Sequence, residues 1–145
     1  PTIGLVGAPK KKQLFFSHSP GESYLIEKDK IKKIDCSKKG PKDKIVALSS
    51  SIKPSDLILN KLKEYNVNSI VKMASSYKFC VIAKGDYDIY AARERACEWD
   101  YAAGHAVAEN AGAIITTLDN HSFKYGKSDY KNLSLIIKRS EILDA

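Results

Sequence analysis

No run of apolar residues in this sequence reaches the roughly 18 positions that a membrane-spanning helix needs, so no membrane span is expected. Cysteine is scarce: Cys36, Cys80 and Cys97 stand far apart, without the paired spacing of a metal site. An odd count argues for free thiols and a reducing, cytoplasmic setting. Arginine is scarcer: it occurs only at 93, 95 and 139, although the basic residues number 24. Proteins that read nucleic-acid sequence lean on arginine forks and aromatic platforms. The net charge of +7 is therefore assigned to a solvated lysine surface, densest from Lys28 to Lys44, and no specific nucleic-acid partner is expected. The three histidines, His18, His105 and His121, do not form a site by spacing, and Cys97 has no histidine base at a recognisable separation, which argues against a thiol nucleophile. Pro1-Thr2-Ile3-Gly4 has neither an initiator Met nor a signal-peptide layout and reads as the interior of a longer chain.

What is present suffices for a core, since 145 residues suit one folded domain. The first part alternates apolar runs with turn signals. Residues 3–8, Gln13 to Ser17 and Ser23 to Glu27 predict strands, the last two separated by Pro20-Gly21. Lys28 to Asp43 is charged and turn-rich and is expected to be a connection. From Lys44 the pattern changes to strand alternating with helix. Strands are expected at Ile45–Ser49, Val67–Val71, Asp88–Ala91, Ala113–Leu118 and Leu133–Lys138. Pro54-Ser55-Asp56 opens a helix whose Ile58, Leu62 and Tyr65 recur at helical spacing. Ser75 is expected to cap a second helix through Phe79, Cys80 and Ala83, closed by Lys84-Gly85. Such alternation implies a sheet with helices packed over it.

The chain centres on Trp99-Asp100, followed by small residues at Ala102, Ala103, Gly104, Ala106 and Ala108. Asp is a favoured helix N-cap, and the small side chains let the helix pack closely until Gly112 stops it. Asp100 is then either a structural cap beside a buried Trp99 or a carboxylate presented off a helix end to a metal or phosphate. His105 is expected to pack within that helix, and Glu94 and Glu98 to be solvated.

The segment Trp99-Asp100 with Ala102-Ala103-Gly104-His105-Ala106 resembles the C-terminal signature of the Mg²⁺-dependent phosphatases related to inositol monophosphatase. Upstream, Ala74-Ser75-Ser76-Tyr77-Lys78-Phe79-Cys80 is similar to a segment of one branch, the 3′(2′),5′-bisphosphate nucleotidases. The resemblance implies an α/β fold with α+β layering: a mixed sheet with flanking helices over residues 44–145. Residues 1–43 would be a β-meander and linker left from a largely absent N-terminal domain. It also implies Mg²⁺ as cofactor, a phosphorylated small molecule (a nucleotide bisphosphate) as substrate, Asp100 as a metal ligand, and Ser75 and Lys78 as contacts to the nucleotide's second phosphate.

Two departures stand out. The branch carries Tyr-x-Arg after the third strand, whereas Tyr90-Ala91-Ala92-Arg93 sets Arg93 one residue further on, as a candidate substrate contact. Where relatives have a histidine near the base, Ser49-Ser50-Ser51-Ile52 has none. The family's upstream Asp-Pro-x-Asp-Gly-Thr ligand motif is also missing, so the chain alone is expected to be inactive. The missing half or a second copy of the chain is the expected partner. Three readings follow: half of a bisphosphate nucleotidase, an inositol monophosphatase within the same class, or a catalytically incomplete interaction domain.

Overall fold

The computed structural model describes residues 1–38 and 44–142. The first four strands, β1 (Gly4–Ala8), β2 (Gln13–Ser19), β3 (Glu22–Glu27) and β4 (Lys30–Lys33), form an antiparallel meander in that order. Strand alternation sorts its two faces. Phe15, Ser17, Ser23 and Leu25 point inward, while Phe16, His18 and Tyr24 stack on the outer face. β4 falls within the stretch expected to be a connection. Its alternating lysines pair with β3, so backbone bonding to a neighbouring strand outweighed a composition that argued for a loop. The boundary expected after residue 43 falls on residues 39–43, which lie outside the described residues.

The second sheet joins β5 (Ile45–Ser49), β6 (Val67–Lys72), β7 (Ile89–Ala92), β8 (Ala113–Thr116) and β9 (Leu135–Arg139) in the order β6-β5-β7-β9-β8. β6, β5 and β7 run parallel, and β9 is antiparallel to both its neighbours, which makes the sheet mixed. Helix α1 (Asp56–Lys63) connects β5 to β6, burying Ile58 and Leu62 in a cluster with Tyr65, Ile89 and Ile136 on one face of this sheet. On the other face, α2 (Tyr77–Ala83) and α3 (Glu98–Glu109) lie between the two sheets. One continuous core joins Val6, Phe15 and Leu25 of the meander to Phe79, Val107, Leu48 and Leu135.

The small-residue stripe of α3 is what permits this sandwich. A Cβ on Gly4 would sit 2.3 Å from the Ala103 carbonyl oxygen, and one on Gly104 would sit 2.8 Å from Phe79 Cγ. Both neighbours of α3 thus approach to glycine distance. Under the sheet, Arg139 Nε donates to Asp88 Oδ1 at 2.9 Å with both side chains fully buried, and the other Asp88 oxygen accepts from the Val46 amide. The pair fixes β9 against the start of β7.

Candidate anion-binding cleft

Crossing from β5 through α1 to β6, then back through α2 to β7, places α1 and α2 on opposite faces of the sheet. The chain reverses its winding beside β5, and ligands of open α/β sheets gather at the carboxyl ends of strands flanking such a reversal. A cleft of about 510 Å³ opens there, lined by Ser50 after β5, Ala74–Ser76 after β6, Tyr90 of β7, Arg95 and Ala96 after β7, and the first turn of α3. Ser75, Lys78 and Asp100, predicted from two separate motifs, all line it. Arg93 does not; it is exposed just beyond β7, and Arg95 lines the cleft instead.

Asp100 stands one turn deeper in its helix than expected. Cys97 is the N-cap, and Asp100, at the third helical position, accepts the Cys97 amide on Oδ2 at 2.8 Å. The reciprocal pairing of a capping box accounts for the shift. Oδ1 takes no hydrogen bond among the described residues, and the side chain is exposed toward the cleft. Trp99, expected in the core, is 69 % exposed, tilted against Tyr130. Glu98, expected in solvent, is buried. Lys127 Nζ donates to it at 2.5 Å and the Gly126 and Lys127 amides add two more bonds, which hold its carboxyl down at about 2. Its partners come from a loop some thirty residues later, and no local pattern announces them.

Ser75 has φ of +67°, in the left-handed region that L side chains rarely adopt. It precedes the cap position, which Ser76 occupies, and its hydroxyl accepts the Tyr77 amide at 3.2 Å. Lys78 is 5 % exposed and donates to the Ser75 carbonyl at 2.7 Å, with its ammonium 4.8 Å from the centre of the Tyr90 ring. Tyr90 in turn shares a hydrogen bond with Ser50 at 2.9 Å. Burial, reinforced by the nearby Arg95 guanidinium, brings the Lys78 ammonium down to about 8. An ammonium has three donors, and among the described residues only one has a hydrogen-bond acceptor. Its remaining donors and its charge are available to an anion in the cleft.

The inositol monophosphatase family profile matches residues 1–144. The chain belongs to that family. The 3′(2′),5′-bisphosphate nucleotidase CysQ of Salmonella typhimurium is 30% identical over 125 residues, covering 86% of this chain and 49% of the relative. The Escherichia coli K12 nucleotidase is 34% identical over 117 residues, covering 79% of this chain and 45% of the relative. Among solved structures, CysQ from Bacteroides thetaiotaomicron, a bacterial member of the inositol monophosphatase family, gives a TM-score of 0.80 at 25% identity, across 97% of this chain and 59% of that one. The chain spans about half the length of the curated nucleotidases it matches. These relatives put it beside the nucleotidase branch, the one its Ser75–Cys80 segment resembles.

Members of this family are generally metal-dependent, and the cleft answers part of that requirement. Asp100 Oδ1 is a suitable oxygen donor for a hard cation, but no group of three or more His, Cys, Asp or Glu side chains converges among the described residues. Among the described residues Asp100 is the one carboxylate that the cleft would offer such an ion. No helix among the described residues is long and apolar enough to cross a membrane.

Proposed function

We propose that this chain is the half of a Mg²⁺-dependent phosphomonoesterase that holds the substrate's second phosphate, acting on adenosine 3′,5′-bisphosphate to give AMP and phosphate. One observation carries the reading: Ser75, Lys78 and Asp100, which come from two motifs at the starts of two different helices, line a single cleft. The cleft offers a buried cation, an adaptable hydroxyl and one carboxylate oxygen, the set needed to hold one phosphate while presenting another to a metal.

Bound Mg²⁺ would neutralise phosphoryl charge and activate water. Asp100 would supply one of its oxygens, with the other ligands coming from residues outside this chain. Lys78 would place a positive charge on the non-reacting phosphate. Because that ammonium sits near 8, its charge would fade above neutral pH unless the bound dianion kept the proton in place. Ser75, held with its carbonyl on Lys78, would keep the ammonium aimed. The Ser75–Cys80 segment favours a nucleotide over inositol monophosphate. Buried Cys36 and Cys80, whose thiols burial pushes up to about 12, are inert structural residues in keeping with a cytoplasmic setting.

The test is phosphate release from adenosine 3′,5′-bisphosphate with Mg²⁺, by the chain alone and by a fusion of the Salmonella nucleotidase's missing half ahead of Pro1. The fusion is expected to turn over and the chain alone is not. Asp100→Asn keeps an oxygen for the Cys97 amide and removes the charge, so it is expected to lower the fused enzyme's rate at least 100-fold. A fused enzyme indifferent to Asp100→Asn would refute the assignment. That Asp100 is the one carboxylate lining the cleft among the described residues also supports a second reading, a catalytically incomplete interaction domain; turnover by the fusion would exclude it.

A further inference from the structure

The cleft holds a cation that the family resemblance does not place. Arg95 lines it together with Lys78, close enough to Lys78 for the two charges to repel. Among the described residues neither Lys78 nor Arg95 forms an ion pair with a carboxylate, and Arg95 makes no hydrogen bond at all. Two like charges facing one concavity, whose lining acid Asp100 forms an ion pair with neither, cost free energy in the empty protein, a cost that an anion between them reduces. The first arginine after β7, Arg93, is exposed outside the lining.

The backbone explains why Arg95 faces the cleft. The next residue, Ala96, has φ of +62°, and its carbonyl accepts the Asn132 amide at 3.1 Å. Cys97 then bridges to Lys131 in antiparallel fashion, and Asn132 Nδ2 donates to the Cys97 carbonyl at 2.6 Å. The segment leading into α3 is therefore stapled to residues 130–132 from behind. Arg95 thus leaves the chain directly beside a segment held in place at the cleft's edge.

Resting on the nucleotidase reading above, we infer that Arg95, not Arg93, is the guanidinium that grips the substrate's non-reacting phosphate, with Lys78 as the point charge on its other side. Arginine's planar fork suits two phosphate oxygens at once, whereas lysine offers a single charge centre. The site thus selects ligands that carry the non-reacting 5′-phosphate: a nucleoside 3′,5′-bisphosphate would bind well and a nucleoside 3′-monophosphate, which lacks it, poorly.

The test is calorimetric titration of the 145-residue chain with adenosine 3′,5′-bisphosphate and, separately, with adenosine 3′-monophosphate. Wild type is compared with Arg95→Gln, Arg95→Lys and Arg93→Gln. The two glutamine variants remove the same charge two positions apart, so they separate contact from long-range attraction. Arg95→Gln is expected to weaken bisphosphate binding at least tenfold, Arg95→Lys to recover part of that loss, and Arg93→Gln to change it less than twofold. Adenosine 3′-monophosphate is expected to bind weakly to all four proteins. Equal losses at 93 and 95, or no loss at 95, would overturn the inference while leaving the nucleotidase reading intact. Failure of the wild-type chain to bind the bisphosphate would overturn the reading itself. Unchanged thermal midpoints in the variants will show that the exposed side chains act on the ligand and not on the fold.

Discussion

His105 sits 3 % exposed inside α3, its Nδ1 sharing a hydrogen bond with the Tyr125 hydroxyl at 2.9 Å and its Nε2 3.6 Å from the Glu109 carboxylate. Burial brings the imidazole down to about 4 despite that carboxylate. An unfolded histidine titrates near 6.5. Between those values the unfolded chain binds more protons than the folded one, so stability falls as pH drops from about 6.5 toward 4, and this residue leaves it flat above neutrality. Inside the window each unit costs up to about 1.4 kcal/mol. Urea titrations at pH 7 and pH 5 check this: the stability lost by wild type is expected to exceed that lost by His105→Gln. Equal losses would rule the effect out. The packing role of His105 was legible from its helical position. The burial of Lys78 and Glu98 and the exposure of Trp99 were not. Residue type argues the opposite in all three cases, and the Gly126 and Lys127 groups that bury Glu98 lie some thirty residues further along the chain.

Among the elements, α3 decides how closely everything else packs. Substituting Ala at Gly104 improves helix propensity by about 1 kcal/mol but drives a methyl to within 2.8 Å of Phe79 Cγ and 2.9 Å of Phe79 Cβ. Overpacking a core of this kind costs roughly 1–3 kcal/mol, and Phe79, 1 % exposed, has little room to yield. The net expectation is a destabilisation of about 1 kcal/mol or more for Gly104→Ala, read from the urea midpoint. Gly4→Ala is expected to be worse, because its obstacle is the Ala103 backbone oxygen. A rise in either midpoint would contradict the packing described. The small-residue run in the sequence announced a closely packed helix, and apolar periodicity located both helices beside it and most strands. Strand order could not be read the same way, since β9 inserts between β7 and β8 through pairings distant in sequence.

On the scale of the whole molecule, the meander turns a continuous apolar surface outward. Leu5, Phe16 and Tyr24 align across three strands, and Leu14, Ile26 and Ile31 form the next row. Leu5 is 62 % and Ile31 64 % exposed. Patches of this kind mark surfaces that something covers. The isolated chain is expected to run above its 16.1 kDa monomer mass in size-exclusion chromatography with light scattering. Replacing Leu5 and Ile31 together with Lys should return it to the monomer; a wild-type monomer at high concentration would refute the expectation. Among the described residues Asp100 is the one carboxylate lining the cleft, which fits the proposal that further residues complete the site. Trp99, the chain's single tryptophan, stands 69 % exposed where that site opens. The protein therefore carries its own optical gauge: indole emission, red-shifted in the bare chain, should move to the blue as a nucleotide or a complementary half closes over the lip, with no other tryptophan to blur the signal.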